Sequence, residues 1–79
     1  MTDLEIQEQQ KKALGIIWKC FKFNKTEIAK YCDVQQQTVY LWFRRGRVSA
    51  LSAIKLEQHE DVTITKEEMR PDVKEWFGV

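Results

Sequence analysis

At 79 residues the chain has room for a single domain, one that removes only about 60% of its unfolded surface from water and is correspondingly modest in stability. Its 43% apolar and 32% charged composition is that of an ordinary soluble globular protein, and no apolar run approaches the ~18 residues that a membrane span requires. The net charge of +1 says little, but its distribution is uneven: residues 1–18 sum to −1, residues 19–47 carry seven basic groups against two acidic ones for +5, and residues 48–79 sum to −3. Positive charge gathered on one segment is the electrostatic footprint of a nucleic-acid contact.

A first helix is predicted from Thr2 or Asp3, either a good cap, to about Phe21. Leu14, Ile17, Trp18 and Phe21 fall at i, i+3, i+4 and i+7, the stripe that faces a core. Thr2 to Gln10 is polar and acidic with only Leu4 and Ile6 as anchors, so this end is expected to fray. It is also unlike a secretion signal, which points to a cytoplasmic protein. Gly15 weakens the helix by about 1 kcal/mol relative to Ala. Phe23-Asn24-Lys25 reads as a linker, with Asn24 or Thr26 capping a second helix. Lys22 and Lys25 stand beside that helix's N-terminus, where backbone N–H groups favour anions, so solubility and phosphate contact are both open roles for them.

Thr26 to Arg47, TEIAKYCDVQQQTVYLWFRRGR, is the stretch that the rest of the chain serves. Ile28, Ala29 and Cys32 form an apolar stripe, Asp33-Val34 breaks the run, and a further helix resumes from about Gln36. At helical period, Val39, Trp42 and Phe43 share one face of that helix. Gln37, Tyr40, Leu41 and Arg44 share the other, a row of amide, phenol and guanidinium groups around one leucine. These are the donors and acceptors that base edges and phosphates can pair with. Two short helices joined by a tight turn, the second polar on its outer face, are the pattern of a helix-turn-helix at about residues 25–45. Ala29, Val34, Val39 and Trp42 occupy the four spacings such units favour: a small residue at the crossing, an apolar turn residue and two core residues.

Arg44-Arg45-Gly46-Arg47 ends this helix: Gly46 can take positive φ, and basic groups suit the carbonyl end. A fourth helix starts at Ser49, its cap, with Leu51, Ile54 and Leu56 expected in the core. His59 to Asp61 form a polar break, with His59 expected to interact with the preceding carbonyl end. Val62-Thr63-Ile64 is a short extended link. Thr65 with Glu68 makes a capping box for a brief helix that Pro71 stops, and Asp72 is placed to cap a last turn, Val73 to Phe77. Cys20 and Cys32 are twelve residues apart without a C-x-x-C pair, and His59 stands alone. Reduced, buried cysteines are therefore expected, with no metal site. No nucleophile–base set, paired carboxylates or Gly-rich phosphate loop marks an enzyme, so no catalytic residue, cofactor or small-molecule substrate is expected.

The run VQQQTVYLWFRRGRVSA…AIKLEQ…VTITKEEMRPDV resembles the Cro-type phage repressors and the related YdaS-like regulators over roughly Glu27 to Val73. The closing motif Thr65-Lys66-Glu67-Glu68-Met69-Arg70-Pro71-Asp72 is the most specific part of the likeness. Two positions depart from the family pattern: Asp33 stands where Gly is usual in the turn, and Gln35 opens the recognition helix where Ser or Thr is usual, each at a cost of about 1 kcal/mol. The resemblance implies an all-α, lambda-repressor-like domain of about five helices spanning 1–79, with a short tail over 72–79. It also implies a sequence-specific repressor in a bacterial host cell that occupies double-stranded operator DNA as a homodimer. Carried over residue by residue, Gln36, Gln37, Tyr40 and Arg44 read bases, while Lys25, Thr26, Gln35, Arg45 and Arg47 contact the DNA backbone.

Two alternatives are weighed against it. Leu41-Trp42-Phe43-Arg44-Arg45 resembles the W-F-x-x-R-R of homeodomains, but Arg45 stands where that family needs Asn, and Gly46 stops the helix early. From a different class, the chain could be an antitoxin or other protein-binding module acting through Trp76 and Phe77. Salt separates the two, because DNA binding weakens steeply as salt rises.

Overall fold

The computed structural model describes residues 2–77 and is all-helical among them. Five α-helices follow in order: α1 Asp3–Cys20, α2 Lys25–Cys32, α3 Gln36–Arg45, α4 Ala50–Glu57 and α5 Lys66–Met69, with a closing 3-10 turn at Lys74–Phe77. α1 lies against α5, α2 against α3 and α4, and α4 against α5.

Local sequence sets most of the helix ends. At α1, Thr2 and Glu5 form a reciprocal capping box, the Glu5 N–H donating to Thr2 Oγ1 at 3.2 Å and the Thr2 N–H to Glu5 Oε1 at 3.2 Å. Two orphan N–H groups are thereby satisfied. The helix is ended by Lys22 and Phe23, both left-handed at φ 55° and 61°, with the Phe23 N–H reaching back to the Trp18 carbonyl at 2.8 Å. Two consecutive non-glycine residues in this region carry a steric cost, and nothing in the sequence signals them. Asn24 then caps α2, its Oδ1 accepting from the Thr26 and Glu27 N–H groups at 3.0 and 3.3 Å.

α2 closes in a Schellman motif. Asp33 takes φ 57°, the Val34 N–H donates to the Ala29 carbonyl at 3.0 Å and the Asp33 N–H to that of Lys30 at 3.3 Å. The expected left-handed role of Asp33 is thus observed. At α3, Gly46 sits at φ 80° with its N–H on the Trp42 carbonyl at 2.7 Å. Its lack of a side chain matters twice, because a Cβ there would come within 3.0 Å of Lys11 Cγ.

The core collects Leu14 and Ile17 of α1, Ile28, Ala29 and Cys32 of α2, Val39 and Trp42 of α3, Ala53 and Leu56 of α4, and Met69 of α5. Ile17, Ile28 and Val39 are fully buried, so the two central helices face each other with their apolar stripes. Burial pushes the Cys32 thiol up from its ordinary value, keeping it protonated and inert. Cys20 is half-buried and donates from Sγ to the Asp61 carbonyl at 3.1 Å.

Four expectations are corrected. Leu51 and Ile54 do not bury: Leu51 is 79% exposed and Ile54 38%, while Ser52, Ala53 and Leu56 face inward. α4 spans only two turns and carries two competing apolar stripes; the one with small Ser52 and Ala53 wins because it lets α4 approach its neighbours closely. His59 does not sit on the carbonyl end of α4. Its ring packs tilted against Phe21 and edge-on against Tyr31, each at 4.7 Å between centroids, and its Nδ1 accepts from the Asp61 N–H. The N-terminal half of α1 is held rather than free, through Gln9 Nε2 on the Glu68 carbonyl and Gln10 Nε2 on Asp72 Oδ1 at 2.9 Å. Asp72, expected to cap a last turn, instead commits its carboxylate to Arg70 and Gln10 and locks into the body of the domain.

That lock is the corner built by the closing motif. Arg70 clamps Asp72 with two parallel bonds, Nε to Oδ1 and Nη2 to Oδ2, both 2.8 Å, and sends Nη1 to the Val48 carbonyl at 3.0 Å. Gln10 adds the third donor. The Arg70 guanidinium holds the Asp72 carboxyl at about 2, well below the usual carboxylate range. The corner ties α1, the loop after α3 and the end of α5 together. Trp76 is half-buried against the core with Lys66 Nζ 5.8 Å over its ring; the side chain of Phe77 lies outside the described residues.

Candidate nucleic-acid interface

α3 is amphipathic in space as in sequence. Val39 and Trp42 are 0% and 5% exposed, whereas Gln36, Gln37, Tyr40, Arg44 and Arg45 are exposed and Leu41 is half-buried. The four residues expected to read bases therefore stand together on one outward ridge about two turns long. Tyr40 presents more than half its surface to solvent.

The turn before α3 supplies a second rank. Gln36 Nε2 donates to Thr26 Oγ1 at 2.8 Å, so the first residue of α3 is fixed to the first turn of α2. An amide nitrogen carries two hydrogens, and the amide oxygen has two lone pairs, so Gln36 keeps free capacity while its direction is set. Gln35 is exposed and its side chain makes no capping bond, which leaves its amide free at the start of the helix.

Lys25 has a setting that its sequence neighbours do not signal. Its ammonium sits 5.5, 5.5 and 5.3 Å from the ring centroids of Trp18, Tyr40 and Phe43. Trp18 and Phe43 meet edge-on at 4.9 Å. A cation among three rings is held by their quadrupoles, so Lys25 props Tyr40 from beneath while keeping its charge beside the ridge. Lys22 is exposed in the left-handed turn.

In the last turn of α3 and just beyond it, Arg44, Arg45 and Arg47 are exposed. Arg47 Nη1 lies 4.0 Å from Asp72 Oδ2, a loose contact, because Asp72 is already committed to Arg70 and Gln10. Of the nine residues singled out from the sequence, the structure joins Gln36 to Thr26 and Lys25 to Tyr40, and brings Arg44, Arg45 and Arg47 to one groove. Sequence reading missed three contributors: the Thr26 hydroxyl as the partner of Gln36, the aromatic cradle of Lys25, and the Arg70–Asp72–Gln10 corner that sets the loop bearing Arg47. The last two depend on contacts between residues distant in the chain.

Residues 24–76 match the family described as bacterial toxin YdaS, about two thirds of the chain. The chain belongs to the YdaS family. No curated protein and no solved structure matches it. The YdaS match begins at Asn24, the cap of α2, and ends within the closing 3-10 turn. It thus takes in the α2–α3 unit, α4 and the Arg70–Asp72 corner, and leaves α1 outside. Among the described residues no helix is long and apolar enough to cross a membrane.

Proposed function

We propose that this YdaS-family chain is a sequence-specific DNA-binding transcriptional regulator, of the Cro type, that represses by occupying operator DNA as a homodimer in the cytoplasm of a bacterial host. It acts by occupancy and not by catalysis. The single observation that carries the proposal is the ridge on α3: Gln36, Gln37, Tyr40 and Arg44 exposed along one face of a helix whose other face, Val39 and Trp42, is buried. A helix so built can enter a major groove of about 12 Å, where Gln pairs with adenine and Arg with guanine. Lys25, Thr26, Gln35, Arg45 and Arg47 flank that ridge and take the phosphates. One such module buries too little surface for tight binding, which is the reason for proposing a dimer on a palindromic site.

The test is selection of bound sites from random duplex DNA. An enriched palindrome is expected, and Gln37→Ala should then lose about 1–3 kcal/mol on that site while binding random DNA nearly as before. No enrichment, or equal losses on both DNAs, would refute it.

A second reading is favoured by the family's description as a bacterial toxin and by exposed Leu51 beside Ile54: a protein-binding module that engages a partner, with DNA secondary. Trp76, packed on the core, is a poor anchor for it, and the α4 patch is the better one. Binding that barely responds to salt and is abolished by Leu51→Asp would favour this second reading.

A further inference from the structure

At the far end of α3 a shallow groove opens between that helix and α1. It is bordered by Gln7, Gln10 and Lys11 on one side and by Arg44, Arg45 and Arg47 on the other, around Gly46. Its volume is about 440 Å³. Four cations therefore border one depression with no carboxylate among them. The acid in contact with this group, Asp72, stands behind Arg47 at 4.0 Å with both oxygens bonded to Arg70 and one of them also to Gln10. Among the described residues Lys11, Arg44 and Arg45 enter no ion pair. Like charges so gathered repel one another unless an anion lies between them.

Lys11 is delivered to this place by packing rather than by chance. Its stem crosses Gly46, where a Cβ would stand 3.0 Å from Cγ and 3.2 Å from Cε. The bare Gly46 lets the methylenes lie on the loop, and the ammonium then overhangs the basic end of α3, as long cationic side chains do when the stem finds apolar surface. Lys12, its neighbour, faces the other way, into a groove with Glu5, Glu8 and Glu68. Residues 1–18 sum to −1 in the sequence, which conceals that Lys11 sides with the recognition helix.

The geometry points to a phosphate-binding groove in which Lys11 of α1, with Arg45 and Arg47 and beside the base-reading Arg44, grips the sugar–phosphate backbone of duplex DNA beyond the recognition helix. It rests on the DNA-binding function proposed above and extends the interface to a helix outside the family match. The carbonyl end of α3 is by itself repellent to anions; four cations at that end reverse the local sign.

The experiment is a salt series on Lys11→Met, which keeps a stem to lie on Gly46 and removes the charge, measured by fluorescence anisotropy on a random-sequence duplex beside wild type and Lys12→Met. The slope of log K against log salt should be shallower by about 0.9 for Lys11→Met, the loss of one phosphate contact. It should be unchanged for Lys12→Met, with all three proteins melting alike. Wild type that binds duplex while Lys11→Met keeps its slope overturns the inference alone. Equal flattening by Lys12→Met would also overturn it, since the effect would then be net charge and not the groove. If wild type shows no salt-dependent binding to duplex, this inference and the proposed DNA-binding function fall together. Should Lys11→Met melt lower, Lys11→Gln read at a temperature where both proteins are folded gives the same decision.

Discussion

Replacing Asp72 by Asn tests the corner that closes the domain. The carboxylate accepts two bonds from Arg70 at 2.8 Å and one from Gln10 at 2.9 Å, and its pKa is lowered from 3.8 to about 2. The Asp72 side chain is 29% exposed and that of Arg70 15%, so solvent screens the pair only in part. A difference of nearly two pKa units corresponds to about 2 kcal/mol between the charge states. The sign follows from the depressed folded-state value. Asp72 contributes its full stabilisation above the unfolded pKa near 4 and loses it as pH falls through about 2. Asp72→Asn keeps the shape but turns an amide toward a guanidinium, leaving Arg70 without its counter-charge. At pH 7 the variant should be less stable by about 2 kcal/mol, a fall in Tm of roughly 8–16 °C for a domain of this size. Urea denaturation of both proteins at several pH values between 7 and 2 would follow the gap, which should be constant down to pH 5 and then close. A gap that is absent at pH 7, or one that persists at pH 2, would refute the electrostatic account of the corner.

Two further expectations concern α3. Trp42, 5% exposed in the core, should cost about 3–5 kcal/mol when changed to Ala, a large share of the total stability of so small a domain; circular dichroism melts would show it, and a folded Trp42→Ala that lost only DNA binding would invert the face assignment. Gln35 makes no side-chain cap, so Gln35→Ser should raise stability by about 0.5–2 kcal/mol; a raised Tm with roughly tenfold weaker operator binding would place the Gln35 amide on DNA, whereas a lowered Tm would put the helix start elsewhere.

Much of the local structure was legible in the sequence because it depends on neighbours a few residues apart. The Thr2 cap, the capping box at Thr65, the Ser49 cap, the uncapped Gln35 and the left-handed Asp33 and Gly46 are all observed. Each involves groups within a turn or two of one another, and side-chain chemistry decides such geometry. The two faces of α3 were equally plain, since Val39, Trp42 and Phe43 share one phase opposite Gln37, Tyr40 and Arg44. α4 was not, because in two turns Leu51 with Ile54 and Ala53 with Leu56 define stripes of equal length.

What the chain determined by itself, then, was which segments coil, where they stop, and that one helix carries amides and arginines opposite valine and tryptophan. Only the tertiary structure decided which stripe of α4 faces in, that Lys25 lies among Trp18, Tyr40 and Phe43, and that Lys11 lies over Gly46 beside the arginines. Only it joined Gln10 to Asp72, two polar residues that carry no mark of each other in sequence. Burial of apolar stripes brings these partners together, and a hydrogen bond or a cation over a ring forms only after that packing has set the distance.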